Sequence, residues 1–117
     1  MVAIIDDDPS VLRGLKRVLD ASHFATKVFD CGEAFLRDSA SSVACIVLDI
    51  HLGGISGIEM RRRLKAMGCT IPVIFMTAQD SAAVRREAMD VGCAAYLQKP
   101  FSGHVLIDAI RDATAFV

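Results

Sequence analysis

Short, uninterrupted apolar runs alternate along this chain with longer stretches in which apolar residues return every three or four positions. The clearest run is Cys45-Ile46-Val47-Leu48, which passes through Asp49 into Ile50-His51-Leu52-Gly53-Gly54. A run without polar alternation that ends in turn residues reads as a strand buried on both faces. Three others share the form: Ala3-Ile4-Ile5 before Asp6-Asp7-Asp8, Val73-Ile74-Phe75-Met76 before Thr77-Ala78, and Ala95-Tyr96-Leu97-Gln98 before Lys99-Pro100. Each strand ends at once in a carboxylate, a hydroxyl or an ammonium. Ala25 to Phe29 alternates better, which predicts an edge strand with one wet face.

Between the strands the apolar period is helical. Asp8 followed by Pro9 predicts a helix start, with a capping carboxylate and a proline at the first helical position. Val11, Leu12, Leu15, Val18 and Leu19 then share one side and Arg13, Lys16 and Arg17 the other, as far as Ala21. A short helix is predicted from Glu33 to Arg37, a loop over Ser39 to Ser42, and the central strand over Val43 to Leu48. After Gly57 comes a helix with Ile58, Leu64 and Met67 facing the sheet and Arg61, Arg62, Arg63 and Lys65 facing water, closed by Gly68. Pro72 introduces the fourth strand, and Ser81 caps an alanine-rich helix ending at Gly92. Ala94 to Gln98 is the fifth strand. Ser102 caps a last helix that carries Val105, Leu106, Ile110 and Ala113 inward.

Strict alternation of strand and helix implies right-handed crossovers and a parallel sheet covered on both faces. The predicted fold is therefore α/β, a three-layer αβα sandwich with five helices. Five strands suit the flavodoxin-like order 2-1-3-4-5, whose switch point lies between the first and third strands. Ligands bind at the carboxyl edge of such sheets, where this order sets Asp6 to Asp8 beside Asp49.

Length and charge narrow the function. At 117 residues the chain is expected to form one domain over 1–117. Thirteen Lys and Arg against 14 Asp and Glu leave a net charge of -1, without the basic excess of a nucleic-acid binder. Charged residues interrupt every apolar run well short of the ~20 needed to span a bilayer. The N-terminus enters a strand and an acidic triplet rather than a signal peptide, so a cytoplasmic location is expected. Cys31, Cys45, Cys69 and Cys93 are scattered without metal-binding spacing and read as reduced, structural thiols.

Carboxylates gathered at one edge repel one another, and without a cation at least one pKa rises. A hard divalent ion relieves that conflict, and Mg²⁺ suits oxygen ligands, retained waters and a bridge to a phosphoryl oxygen. A helix cap explains Asp8 but leaves Asp6 and Asp7 unexplained. A central carboxylate can also act as a nucleophile towards phosphorus.

The acidic cluster after the first strand, the lone Asp49 after the third, Thr77-Ala78 after the fourth and Lys99-Pro100-Phe101 after the fifth together resemble the receiver domain of two-component response regulators. The likeness runs from Val2 to about Ala115, and its motifs are specific jointly rather than singly. It implies a phosphorylation-dependent signalling switch in which Asp49 accepts a phosphoryl group from a sensor histidine kinase or phosphotransfer protein. By the same likeness Asp7 is a direct Mg²⁺ ligand, Asp6 a ligand mainly through water, and Asp49 and the His51 backbone carbonyl complete the set. Lys99 and Thr77 bind the phosphoryl oxygens, Thr77 and Tyr96 form the switch, and the Lys99-Pro100 bond is cis. The chain would catalyse only its own phosphorylation and slow hydrolysis. It would respond through the fourth helix, fifth strand and fifth helix, as a homodimer or with a partner. Receivers of this pattern often carry a helix-turn-helix output.

Gly53 departs from the family, which commonly has proline four residues after the phosphorylated aspartate; two successive glycines relax the backbone of this loop. His51, His23 and His104 read as surface side chains. The competing enzyme reading is a haloacid-dehalogenase-type phosphohydrolase using Asp6 and Asp8, with Thr77 and Lys99 imitating its next motifs. It leaves Asp49 without a role, has no fourth acidic motif after Lys99, and has no room for a cap domain. Flavin binding is disfavoured because three aspartates at the first turn would repel its phosphate.

Overall fold

A computed structural model of the chain describes residues 1–38 and 42–115. Of the loop expected over Ser39 to Ser42, only Ser42 falls among the described residues. Strands β1 (Val2–Ile5), β2 (Thr26–Phe29), β3 (Cys45–Asp49), β4 (Val73–Thr77) and β5 (Ala95–Gln98) alternate with helices α1 (Pro9–Ala21), α2 (Gly32–Arg37), α3 (Gly57–Ala66), α4 (Ala82–Val91) and α5 (Gly103–Thr114). All strand pairs are parallel, in the order β2-β1-β3-β4-β5. The predicted order is thus found, with β2 at an edge.

Successive strand residues point to opposite faces, so two apolar cores form. Ala3, Ile5, Ile46, Leu48 and Phe75 meet Phe35 from α2, Ile58, Met60 and Leu64 from α3, and Ala88 and Val91 from α4. On the other face Val2, Ile4, Val47, Ile74 and Met76 meet Leu12 and Leu19 from α1 and Leu106 and Ile110 from α5. The central strands β1, β3 and β4 are buried along their whole length, which is why they lack polar alternation. Cys45 belongs to this core, and burial pushes its thiol up to about 11, leaving it a small protonated apolar group.

Side-chain oxygens start α1, α4 and α5 where the sequence suggests, and Ser56, just before the predicted Gly57 start, does the same for α3. Asp8 Oδ1 accepts the Ser10 N–H at 2.9 Å, Ser56 Oγ that of Glu59, Ser81 Oγ that of Val84 and Ser102 Oγ that of Val105.

Two inward assignments and one outward assignment need correction. Met67 is 69% exposed, because α3 stops at Ala66 and the chain leaves the face that Met67 would have shared with Leu64; Met60 fills the core instead. Val105 is 46% exposed, since the buried stripe of α5 runs through Leu106 and Ile110, about 100° away around the helix. Arg61 is half-buried rather than solvated, and its Nε donates to the Gly92 carbonyl at the end of α4, at 2.8 Å.

Candidate functional site

Register carries the acidic residues together. Ile5 pairs with Leu48 across β1 and β3, so the next residues, Asp6 and Asp49, leave adjacent strands side by side. One oxygen each from Asp6, Asp7 and Asp49 lies within 4.8 Å of the other two. Asp6 and Asp49 are buried, whereas Asp7 is exposed. Asp8 is not brought into this group: its Oδ1 accepts both the N–H and the hydroxyl of Ser10, at 2.9 and 2.8 Å.

Lys99 reaches in from the turn after β5, where its peptide bond to Pro100 is cis. Its Nζ is 2.7 Å from Asp6 Oδ2 and 3.7 Å from Asp49 Oδ1. The Lys99 N–H also donates to the Thr77 carbonyl at 2.7 Å, fixing the turn to the end of β4. Thr77 is fully buried, and its Oγ1 accepts the Gln79 N–H at 3.0 Å. Asp49 Oδ1 accepts the His51 N–H at 3.3 Å, while the His51 side chain itself is exposed.

Burial is the main influence raising the Asp49 carboxyl above its ordinary range; the nearby Asp6 charge adds to it, and Lys99 and the His51 N–H only partly offset it. Asp49 therefore lacks enough neighbouring positive charge. All three offer hard oxygen donors at one exposed edge, and that donor set fits a divalent cation of the Mg²⁺ kind.

Several residues around the site carry no motif. Gly57 opens α3 directly against the end of β3, where its N–H donates to the Ile50 carbonyl at 2.9 Å. A Cβ there would collide with the Asp49 carbonyl oxygen and lie 2.8 Å from Ile50 Cα. The only hint in the sequence is a glycine just inside a helix, a position that often marks close backbone approach. Glu33 abuts the Gly53-Gly54 loop from α2, and Asp80 holds Tyr96: the Tyr96 hydroxyl donates to Asp80 Oδ1 at 2.8 Å. Arg85 bonds Asp80 Oδ2 at 2.9 Å and sits 4.9 Å from the centre of the Tyr96 ring.

The sequence profile of the response regulator receiver domain matches residues 2–111. The chain belongs to this family. Among similar receivers is the transcriptional regulatory protein FixJ of Bradyrhizobium diazoefficiens, 34% identical over 113 residues, which cover 96% of this chain and 55% of FixJ. The response regulator protein TodT of Pseudomonas putida is 31% identical over 114 residues, covering 97% of this chain and 50% of TodT. The chain thus spans about half the length of these curated relatives. In three dimensions it is similar to FixJ-N, with a TM-score of 0.91 and 32% identity over 99% of this chain and 94% of that one. It is likewise similar to the response regulator StyR, with a TM-score of 0.87 and 37% identity over 97% of this chain and 58% of that one. The receiver fold of two-component signalling proteins accounts for the architecture described above, and receivers of response regulators work with histidine kinases.

Proposed function

We propose that the chain, taken as one receiver domain, is a phosphoacceptor switch whose Asp49 takes a phosphoryl group from a histidine kinase or phosphotransfer protein. The observation that carries this reading is the position of Asp49. It is a buried carboxylate whose charge is disfavoured, at the end of the central strand, with an ammonium and two further carboxylates converging on it. An Asp49 oxygen attacks phosphorus and the donor's histidine nitrogen leaves, so the phosphoryl group passes from nitrogen to oxygen as an acyl phosphate. Positioning and charge carry most of such a transfer. Lys99 is near enough to turn from Asp6 towards a phosphoryl oxygen, and the Thr77 hydroxyl is available to donate to another. Mg²⁺, held by Asp6, Asp7, Asp49 and the His51 carbonyl, would neutralise charge on the phosphoryl oxygens. Hydrolysis of the acyl phosphate then resets the switch, so the domain catalyses only its own modification.

No helix among the described residues is long and apolar enough to cross a membrane, and a cytoplasmic protein suits a kinase partner. Output runs through α4, β5 and α5 to a second copy or another partner. Exposed Met89 on α4 and Val105 on α5 supply apolar points for that contact, at 54% and 46% exposure. DNA would be contacted by an attached output module rather than by this domain, whose charge is nearly balanced.

The phosphohydrolase alternative asks Asp8 to act beside Asp6, but Asp8 is engaged as the cap of α1. Intact mass after incubation with acetyl phosphate and Mg²⁺ tests the proposal. Wild type gains one phosphoryl mass and Asp49→Asn does not; labelling that survives in Asp49→Asn but is lost in Asp6→Asn would establish the alternative.

A further inference from the structure

We infer that the backbone amide of Gly53 is an internal competitor for the divalent cation, a latch on Asp7 that binding of the ion releases. The inference rests on the metal site of the proposed function and adds a role for a residue outside its ligand set. Gly53 N–H donates to Asp7 Oδ2 at 3.2 Å, across 46 positions of sequence. Asp7 is also one of the three carboxylates able to converge on one ion. An amide proton and a divalent cation held by the same carboxylate would bring two positive centres together, so each weakens the other. Proline, common at this position in the resembling family, has no N–H and could not make the bond. The glycine therefore adds an interaction as well as freedom.

A second observation identifies where the loop goes when the latch opens. On its other side stands Glu33, whose Oε1 is buried without a hydrogen-bond partner among the described residues. Gly54, at φ 76°, lies so close that a Cβ there would stand 2.9 Å from Glu33 Oε2. A buried carboxylate oxygen lacking a donor favours any rearrangement that turns an N–H towards it. The Gly53-Gly54 segment thus lies between two acceptors, Asp7 and Glu33. Occupation of Asp7 by the cation moves an amide of this segment to Glu33, and the loop after β3 reports whether the metal is bound.

Titration of the labelled wild-type protein with MgCl₂, followed by nuclear magnetic resonance, tests this without any phosphorylation. The carboxyl carbons of Asp6, Asp7 and Asp49, the Gly53 amide and the Glu33 carboxyl carbon should shift with one midpoint. Gly53→Pro should bind Mg²⁺ roughly three- to tenfold more tightly, the equivalent of about one net hydrogen bond. Gly53→Ala keeps the N–H and adds a Cβ that meets only Asp7 Oδ2, at 3.9 Å, so its affinity should stay near that of wild type. A Gly53 amide that stays in place while the three aspartates respond would overturn the latch and leave the metal site intact. Equal Mg²⁺ affinity in a folded Gly53→Pro would do the same, and if that variant does not fold the wild-type amide decides. No response of the aspartates at all would remove the metal site and the latch together.

Discussion

Lys99 Nζ stands 2.7 Å from Asp6 Oδ2, and Asp6 is only 1% exposed, so one buried carboxylate is paired with a side chain delivered from 93 positions away. Removing one partner of such a pair strands the other charge in a poorly solvated place. Lys99→Ala should therefore destabilise the domain by about 2 kcal/mol, less than a fully buried pair because Lys99 keeps some contact with water. Mg²⁺ should restore part of the loss, since the ion replaces the ammonium as the neutralising charge. Urea unfolding with and without MgCl₂ measures both effects. An identical deficit under the two conditions would show that Asp6 and the ion are not linked.

Asp49 provides the pH dependence. Its carboxyl is raised in the folded state by burial first and by the Asp6 charge second, so over the window above the ordinary carboxylate range the folded protein holds more proton than the unfolded chain. Stability then falls as pH rises through that window, and it is recovered as pH drops and Asp49 protonates. Asp49→Asn, which cannot ionise, should have the higher urea midpoint at pH 7 in a metal-free buffer. Its advantage should shrink towards acid pH and on adding Mg²⁺. A variant less stable than wild type at pH 7 would mean that the Lys99 contact outweighs burial.

The parts of this molecule that depend on local pattern are legible in its sequence. Uninterrupted apolar runs identify β1, β3 and β4, and the residue that ends each of them is at the carboxyl edge because strand length and register put it there. Asp8 and Ser81 cap helices as their types suggest. What depends on partners distant in sequence is not legible in the same way. Periodicity would keep Met67 on the inner face, but it cannot tell that α3 ends one residue earlier. Arg61 sits within a run of cations that reads as solvated, and only the arrival of Gly92 from the end of α4 shows it to be a link between helices. Glu33 and Asp80 carry no motif, and their importance comes from the loop and the ring that tertiary packing sets against them.

Within the acidic triplet, cation binding should depend on Asp7 far more than on Asp8. Asp7 shares the cluster with Asp6 and Asp49, whereas hydrogen bonds from Ser10 hold the Asp8 carboxyl below the usual range and turn it to the helix. Calorimetric titration with MgCl₂ of Asp7→Asn and Asp8→Asn separates them: Asp7→Asn should abolish most binding, and Asp8→Asn should cost mainly helix stability. Comparable loss of affinity in both would place Asp8 in the site.

Under the proposed function, Tyr96 would carry the response of the site to the outer face. Its ring is half-buried beside α4, and burial, followed by the Asp80 hydrogen bond and charge, raises its phenol to about 12. Asp80 is held low in turn by that hydroxyl and by Arg85. The three groups hold the ring in place, while the hydroxyl of Thr77, at the end of the neighbouring strand, is bonded among the described residues only to the Gln79 N–H. A phosphoryl group on Asp49 that draws the Thr77 hydroxyl would open room beneath the ring, and the ring moves only if what it gains exceeds the loss of Asp80. Asp80→Ala should therefore lower the phenol pKa from about 12 towards the ordinary tyrosine value, a change readable by absorbance because Tyr96 is the only tyrosine and the chain has no tryptophan. The same variant should self-associate, or bind its partner, at a lower level of phosphorylation than wild type. Beryllofluoride, used as a phosphoryl mimic, should change amide exchange across Thr77 to Ala115 in wild type and change it less in Asp80→Ala, where the ring is already released. If the mimic alters only α1 and α2, or if Asp80→Ala leaves both the phenol titration and association untouched, Tyr96 is a static, half-buried residue and the output face lies elsewhere.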